Sequence, residues 1–241
     1  MMKIADIIHL SWKVYTSKLK QYLPLLLIAF FLSTFTNLIT YILVDVMQLF
    51  SKYVTIISVT TSFIASMLGI FITILVINYN DKFLNNKKID FTFKDALPVF
   101  WPTLWISFIV GIITFLGYIF FIIPGVLFTV WYAFILFVII LEKKTKFKEV
   151  LGTSKSFSKE RFWPVLARIL VPNFFWTLIG YLVLIGMLNI LGLLTNSVAA
   201  EMDPSKIGVG IGIIVVTSLV SSFFLPLYLL VGNIVYNEVK K

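Results

Sequence analysis

Ala96-Leu97-Pro98-Val99-Phe100 opens a run, ALPVFWPTLWISFIVGIITFLGYIFFIIPGVLFTVWYAFILFVIIL, that reaches Leu141 without one charged side chain in 46 residues. A single bilayer crossing takes about 20 apolar residues, so the run is long enough for two. Near its middle stands Ile122-Ile123-Pro124-Gly125. Proline removes a backbone donor and clashes with the preceding helical turn, and glycine accepts the dihedrals of a tight reversal. The run therefore predicts two membrane helices joined as a hairpin, with Pro124 and Gly125 as the structural hinge. It ends at Glu142 and gives way to a cationic segment carrying Lys143, Lys144, Lys146, Lys148, Lys155, Lys159 and Arg161.

The rest of the chain agrees with a membrane solvent. Of 241 residues 60% are hydrophobic and only 13% charged, a balance foreign to soluble globular chains. No stretch is long and polar enough for a separate soluble domain, so residues 1–241 read as one membrane domain. There is no cysteine, which excludes disulfides and thiolate chemistry, and a single histidine, His9, so a zinc or haem site would have to be built mostly from carboxylates, of which there are 11. No cofactor is expected. The net charge of +9 points to anionic lipid headgroups as partners, not to nucleic acid. The first apolar segment starts late and is of full membrane length, unlike a cleavable signal.

Six spans are expected, at about 22–44, 54–79, 99–123, 125–142, 162–190 and 207–236. The fold class is all-α: a polytopic helical bundle of three hairpins with amphipathic surface helices. Ile4, Ile7, Ile8, Ser11, Trp12 and Tyr15 share a helical face ahead of the first span, and Phe147, Val150, Leu151, Ser154 and Phe157 do so between the fourth and fifth. Pro24 is expected in the first turn of its helix, where its missing donor is harmless. The second span carries Ser62, Ala65, Ser66 and Gly69, a small-residue stripe suited to close helix approach. From Val126 the fourth span has only 16 uncharged residues before Glu142, about 24 Å at 1.5 Å per residue. A hydrocarbon core is about 30 Å thick, so that helix is expected to continue past Glu142 while Lys143 and Lys144 reach back to the headgroups. The fifth apolar stretch is too long for one untilted crossing; either Pro172 kinks it or the part near Gly186–Gly192 is a separate short element.

Placing the N-terminus in the cytoplasm puts eighteen of the twenty basic residues on the inner side and leaves only Lys52 and Lys206 outside. Six spans with both termini cytoplasmic satisfy the positive-inside rule, and an odd number would not. The expected location is the cytoplasmic membrane. An aromatic–X–Pro–X–Leu pattern is approached three times, at Tyr22-Leu23-Pro24, Phe100-Trp101-Pro102 and Phe162-Trp163-Pro164, each time as an odd-numbered span begins. It suggests a threefold repeat of surface segment plus hairpin; the enrichment of aromatics at membrane interfaces is the plainer account.

Ile123-Pro124-Gly125, Trp131-Tyr132-Ala133-Phe134 running to Glu142, and Leu151-Gly152-Thr153-Ser154-Lys155-Ser156-Phe157 ahead of Arg161-Phe162-Trp163 together carry a resemblance. The segment Ile122–Val165 resembles the membrane domain found beside some glycerophosphoryl diester phosphodiesterases and related stand-alone bacterial six-helix membrane proteins. The resemblance implies a six-helix membrane domain without catalysis, because in that family the phosphodiesterase chemistry belongs to a separate soluble barrel. Many members have an arginine in the helix after Pro-Gly; around Trp131 this chain has only apolar and aromatic residues.

The candidate contact residues for lipid or partner are Arg168, Arg161, Lys143, Lys144, Lys148 and Lys155. Arg168 is the one charge well inside a predicted span, where it either anchors structure or contacts lipid phosphate through its guanidinium fork. Glu142 reads as a helix-end residue pairing with nearby lysines. Asn37, Asn173 and Asn189 suit hydrogen bonds between helices. With no nucleophile–base arrangement, nucleotide loop or metal cluster visible, an enzyme is not expected, and the apolar midplane argues against an ion channel. Two readings follow: a non-catalytic scaffold or accessory subunit, working with lipid, a protein partner or further copies of itself, and a transporter of lipid or amphipathic solute.

Overall fold

A computed structural model describes residues 1–43, 52–87, 93–198 and 205–240. Asp45, Lys88, Asp90, Glu201, Asp203 and Lys241 lie outside the described residues, as do nearly all of the connection expected at 45–52 and the middle of that at 195–206. The described chain is helical, with no strand. In order its helices are α1 (Ile4–Ser17), α2 (Leu19–Tyr41), α3 (Lys52–Leu84), α4 (Phe93–Phe120), α5 (Ile122–Trp131), α6 (Ile135–Glu142), α7 (Phe147–Lys159), α8 (Phe162–Val198) and α9 (Ser205–Val239). Six segments are long and apolar enough to cross a bilayer: Leu19–Tyr41, Tyr53–Leu84, Lys94–Phe120, Ile122–Glu142, Phe162–Gly192 and Gly208–Val239. The protein is a multi-pass membrane protein.

Four local expectations are corrected. The reversal between the third and fourth spans falls at Phe121, which is extended (φ −158°), and not at Pro124-Gly125. Those two residues stand in the first turn of α5, where proline's missing N–H is one of the donors a helix start leaves unpaired anyway. The fourth span therefore begins early and has 21 residues. It has no need to run past Glu142, and it does not: Lys143 closes α6 in the left-handed region at φ 55°. The part near Gly186–Gly192 is no separate element: the fifth span is one continuous helix through Pro172, whose ring frees the carbonyl of Arg168 four residues back. Pro24, by contrast, lies past the first turn of α2, because that helix already starts at Leu19.

The chain forms two compact units. The first comprises Met1–Leu19, Ile70–Phe174 and Pro226–Lys241; the second comprises Lys20–Gly69 and Phe175–Leu225. In the first, α4 packs on α5 and α6, and α7 packs on the same two helices. Helix α1 buries Ile7, Ser11 and Tyr15, and burial pushes the Tyr15 phenol above its ordinary range. In the second, Ser33 donates to Ser218 at 3.1 Å, linking α2 to α9. The amide of Asn189 is turned to its own helix, bonding Ile185 O at 2.8 Å. The small-residue stripe of α3 faces outward: Ser62 and Ser66 are exposed, and a Cβ on Gly69 would meet nothing within 4 Å.

Burial follows the thrice-repeated pattern. Leu23, Trp101 and Trp163 are exposed, whereas Leu25, Thr103 and Val165, two positions on, are buried. The matching positions of α2, α4 and α8 thus show the same exposed-then-buried order.

The close approach of backbones occurs in the α4–α5 hairpin. A Cβ on Gly117 would stand 2.9 Å from Phe128 Cδ2 and 3.2 Å from the backbone of Gly125. Thr129 donates to Gly125 O at 2.9 Å, which commits its only proton, so Tyr118 OH donates to Thr129 Oγ1 at 3.0 Å. At the tip Phe121, Ile122 and Ile123 are more than 70% exposed, and no polar residue lies among them. Gly117→Val should lower stability by about 1–3 kcal/mol through overpacking against backbone. Gly111→Val, on the same helix with open space around it, should change little. Thermal unfolding of both variants in one detergent tests the contrast.

Candidate functional site

The polar centre of the first unit grows from a defect in the fourth span. Between α5 and α6 the helix breaks over Tyr132–Phe134, leaving backbone groups without helical partners. Ser154 of α7, fully buried, fills the gap. Its hydroxyl donates to Trp131 O at 2.8 Å and accepts from Phe134 N at 3.3 Å. Helix α7 can deliver that hydroxyl because Val150, Ser154 and Ser158 line its buried side, while Lys148 and Lys159 stand exposed on the other.

The break turns Phe134 into a ring cluster. Phe134 lies 6.4 Å from Phe137, 6.4 Å from Phe157 and 6.0 Å from Tyr236, and Phe137 stacks on Tyr236 at 5.5 Å. Helices α6, α7 and α9 each supply at least one ring. Gly232 of α9 makes room: a Cβ there would stand 2.7 Å from Phe137 Cζ. Such ring pairs add about 0.5–1.5 kcal/mol each beyond the area they bury.

The hydroxyl of Tyr236 points at Glu142. It donates to Glu142 Oε1 at 2.6 Å, while Lys240 reaches the same oxygen at 3.1 Å and Lys144 reaches Oε2 at 3.0 Å. Lys144 also donates to Thr153 Oγ1 at 3.1 Å. One carboxylate at the end of α6 thus gathers α7, α9 and the α6–α7 connection. Deeper in α9, Asn233 donates to Ile77 O of α3 at 2.9 Å. Among the described residues no three histidine or acidic side chains converge as metal ligands.

The six expected contact residues divide into two groups. Lys144 is committed to Glu142 and Thr153. Lys155 lies over the Trp131 ring at 4.0 Å, a cation–π contact. Arg168 donates from Nε to Met2 O at 2.8 Å and from Nη1 to Pro164 O at 3.1 Å, and Met2 N in turn donates to Glu238 Oε1 at 2.6 Å. Its guanidinium therefore helps to tie the N-terminal segment between α8 and α9. Lys143, Lys148 and Arg161 are exposed. The pairing of Glu142 with Lys144 follows the sequence reading, whereas Tyr236 and Lys240 as its partners had no signal in the sequence.

Compared with protein-family models, curated proteins and solved structures, the chain matches none.

Ser154→Ala should cost about 1–3 kcal/mol, since it strands a buried carbonyl and a buried amide, whereas Ser156→Ala at an exposed position should be close to neutral. Glu142→Leu should cost about 1–3 kcal/mol, because the Tyr236 hydroxyl loses its acceptor while the two partly exposed lysines turn to solvent. Chemical-denaturant unfolding of the three variants checks the order.

Proposed function

We propose that the protein is a non-catalytic scaffold or accessory subunit of the cytoplasmic membrane that contacts anionic lipid, a protein partner, or both, through basic helices at its cytoplasmic face. In this reading its six spans form three hairpins with both termini inside, and α1 and α7 are amphipathic helices at headgroup depth. The observation that carries it is the division of labour among the basic residues. Lys144, Lys155 and Arg168 are held by internal partners, while Lys148, Lys159 and Arg161 are exposed around α7. A helix fixed by buried serines and presenting lysines outward is a rigid cationic surface, and each such residue near an anionic leaflet contributes about 1 kcal/mol. The transporter reading has less behind it, because Arg168 serves the Met2 tether.

Two measurements test this. The chain has no cysteine, so single-cysteine variants carry no background. Asn85→Cys and Lys148→Cys should both react with an impermeant maleimide only in inverted vesicles or opened cells; labelling from outside overturns the orientation. Native mass spectrometry of the protein extracted in mild detergent should show retained anionic lipid, a stoichiometric protein subunit, or both. Lys148→Gln with Arg161→Gln should reduce lipid retention about thirtyfold. Unchanged retention with no protein partner overturns the proposal.

A further inference from the structure

One glycine of this chain has no internal reason to be one. The other glycines lie within the six apolar span segments, where glycine is a common residue of membrane helices. Gly152 lies outside them, in the middle of α7. A glycine in a helix interior costs stability relative to alanine, because its unfolded backbone has more freedom to lose. A close contact or a left-handed backbone normally accounts for that cost. Neither applies at Gly152: a Cβ there would meet nothing within 4 Å, and no glycine has positive φ. The missing methyl leaves a notch on the exposed side of α7, opposite the side on which Val150, Ser154 and Ser158 are buried.

The notch is set in a line of charge. Lys148 stands one turn before Gly152 and Lys159 two turns after it, nearly in register along α7 and about 16 Å apart at 1.5 Å per residue. Both are exposed and neither is engaged by another described residue. Lys155, on the same side, is held over Trp131 and is not counted with them. A lipid phosphate would use the two lysines but not the notch. The amide of a mid-helix glycine is already bonded within the helix, and long ammonium stems hold a phosphate away from the backbone. What gains from the missing methyl is a second helix. Helices pack about 8–10 Å apart according to the side chains at their crossing, and a glycine there allows the closest approach. Charge complementarity then calls for carboxylates about three turns apart on the incoming helix. We infer that the outer face of α7 docks an acidic helix of a protein partner, crossing at Gly152 with carboxylates on Lys148 and Lys159. Because Ser154 fixes α7 from its other side, little order is lost in docking. The inference rests on the scaffold reading and names the protein, of its two kinds of contact, for this face.

The test is photocross-linking of the full-length protein in its cells of origin, with p-benzoylphenylalanine in place of Glu149, exposed beside the line of lysines. One protein adduct of fixed mass should form. Its cross-linked segment, sequenced by mass spectrometry, should be an acidic, helix-forming stretch. Gly152→Leu should lower the adduct yield about tenfold, and so should Lys148→Glu with Lys159→Glu. Exchanging acidic residues of the cross-linked segment for lysine should restore the adduct to that double variant. Gly152→Ala separates docking from folding: in detergent it should melt above the native sequence, because alanine is the better helix former, while its adduct yield falls. No discrete protein adduct, adducts with lipid alone, a cross-linked segment without acidic residues, or a yield unchanged by Gly152→Leu overturns the inference. The two readings fail separately. Lipid adducts alone, with anionic-lipid retention still dependent on Lys148 and Arg161, remove the docked helix and leave the lipid-contact form of the scaffold. Absence of both adduct and retained lipid removes the two together.

Discussion

The two hydrogen bonds of Ser154 hold the first unit in its form. A backbone break inside a buried helix leaves a carbonyl and an amide that must be paired from elsewhere, and stranding them costs about 1–3 kcal/mol. One hydroxyl from another helix supplies both a donor and an acceptor across the break at Tyr132–Phe134. Helix α7 is thereby bound to the fourth span by an obligatory polar contact, not only by apolar area. With α7 fixed, Phe157 reaches Tyr236, and Thr153 comes within reach of Lys144.

The Glu142 cluster extends this constraint to the far end of the sequence. A carboxylate shared by a phenol and two ammonium groups is satisfied in a way that no single partner allows. The same arrangement sets which cations are left for other work. Residues close together in sequence have opposite roles: Lys144 is held inward and Lys143 is turned out by its left-handed backbone. Net charge alone does not distinguish them.

Much of the architecture was legible because membrane solvation is a demand on local composition. A charge-free run of 46 residues has few alternatives to crossing twice, and six helices long and apolar enough to cross are there. What escaped the sequence depends on residues far apart. The break at Tyr132–Phe134 contains no proline or glycine; it is tolerated because Ser154 is there to fill it. Pro124-Gly125 looked like a bend, yet proline suits a helix start as well as a helix end, and only the position of Phe121 decides between the two. The stripe ending at Gly69 looked like a packing face, but the intimate contacts formed instead at Gly117 and Gly232, each opposite a phenylalanine from another helix. Tyr236 and Lys240 find Glu142 from almost a hundred residues away, beyond the reach of any local pattern.

The apolar tip of the α4–α5 hairpin bears on how the chain is put into its membrane. Translocating a loop is costly when it must drag charged or hydrogen-bonding side chains through hydrocarbon. Between α4 and α5 the turn is Phe120-Phe121-Ile122-Ile123, closed over tightly packed glycines. Only the few backbone groups left at the turn resist passage. Spans three and four can therefore partition from one side as a preassembled pair, their tip pushing through the bilayer without a hydrophilic segment to carry across. For this hairpin, biogenesis is closer to the insertion of a single thick element than to two successive threading events.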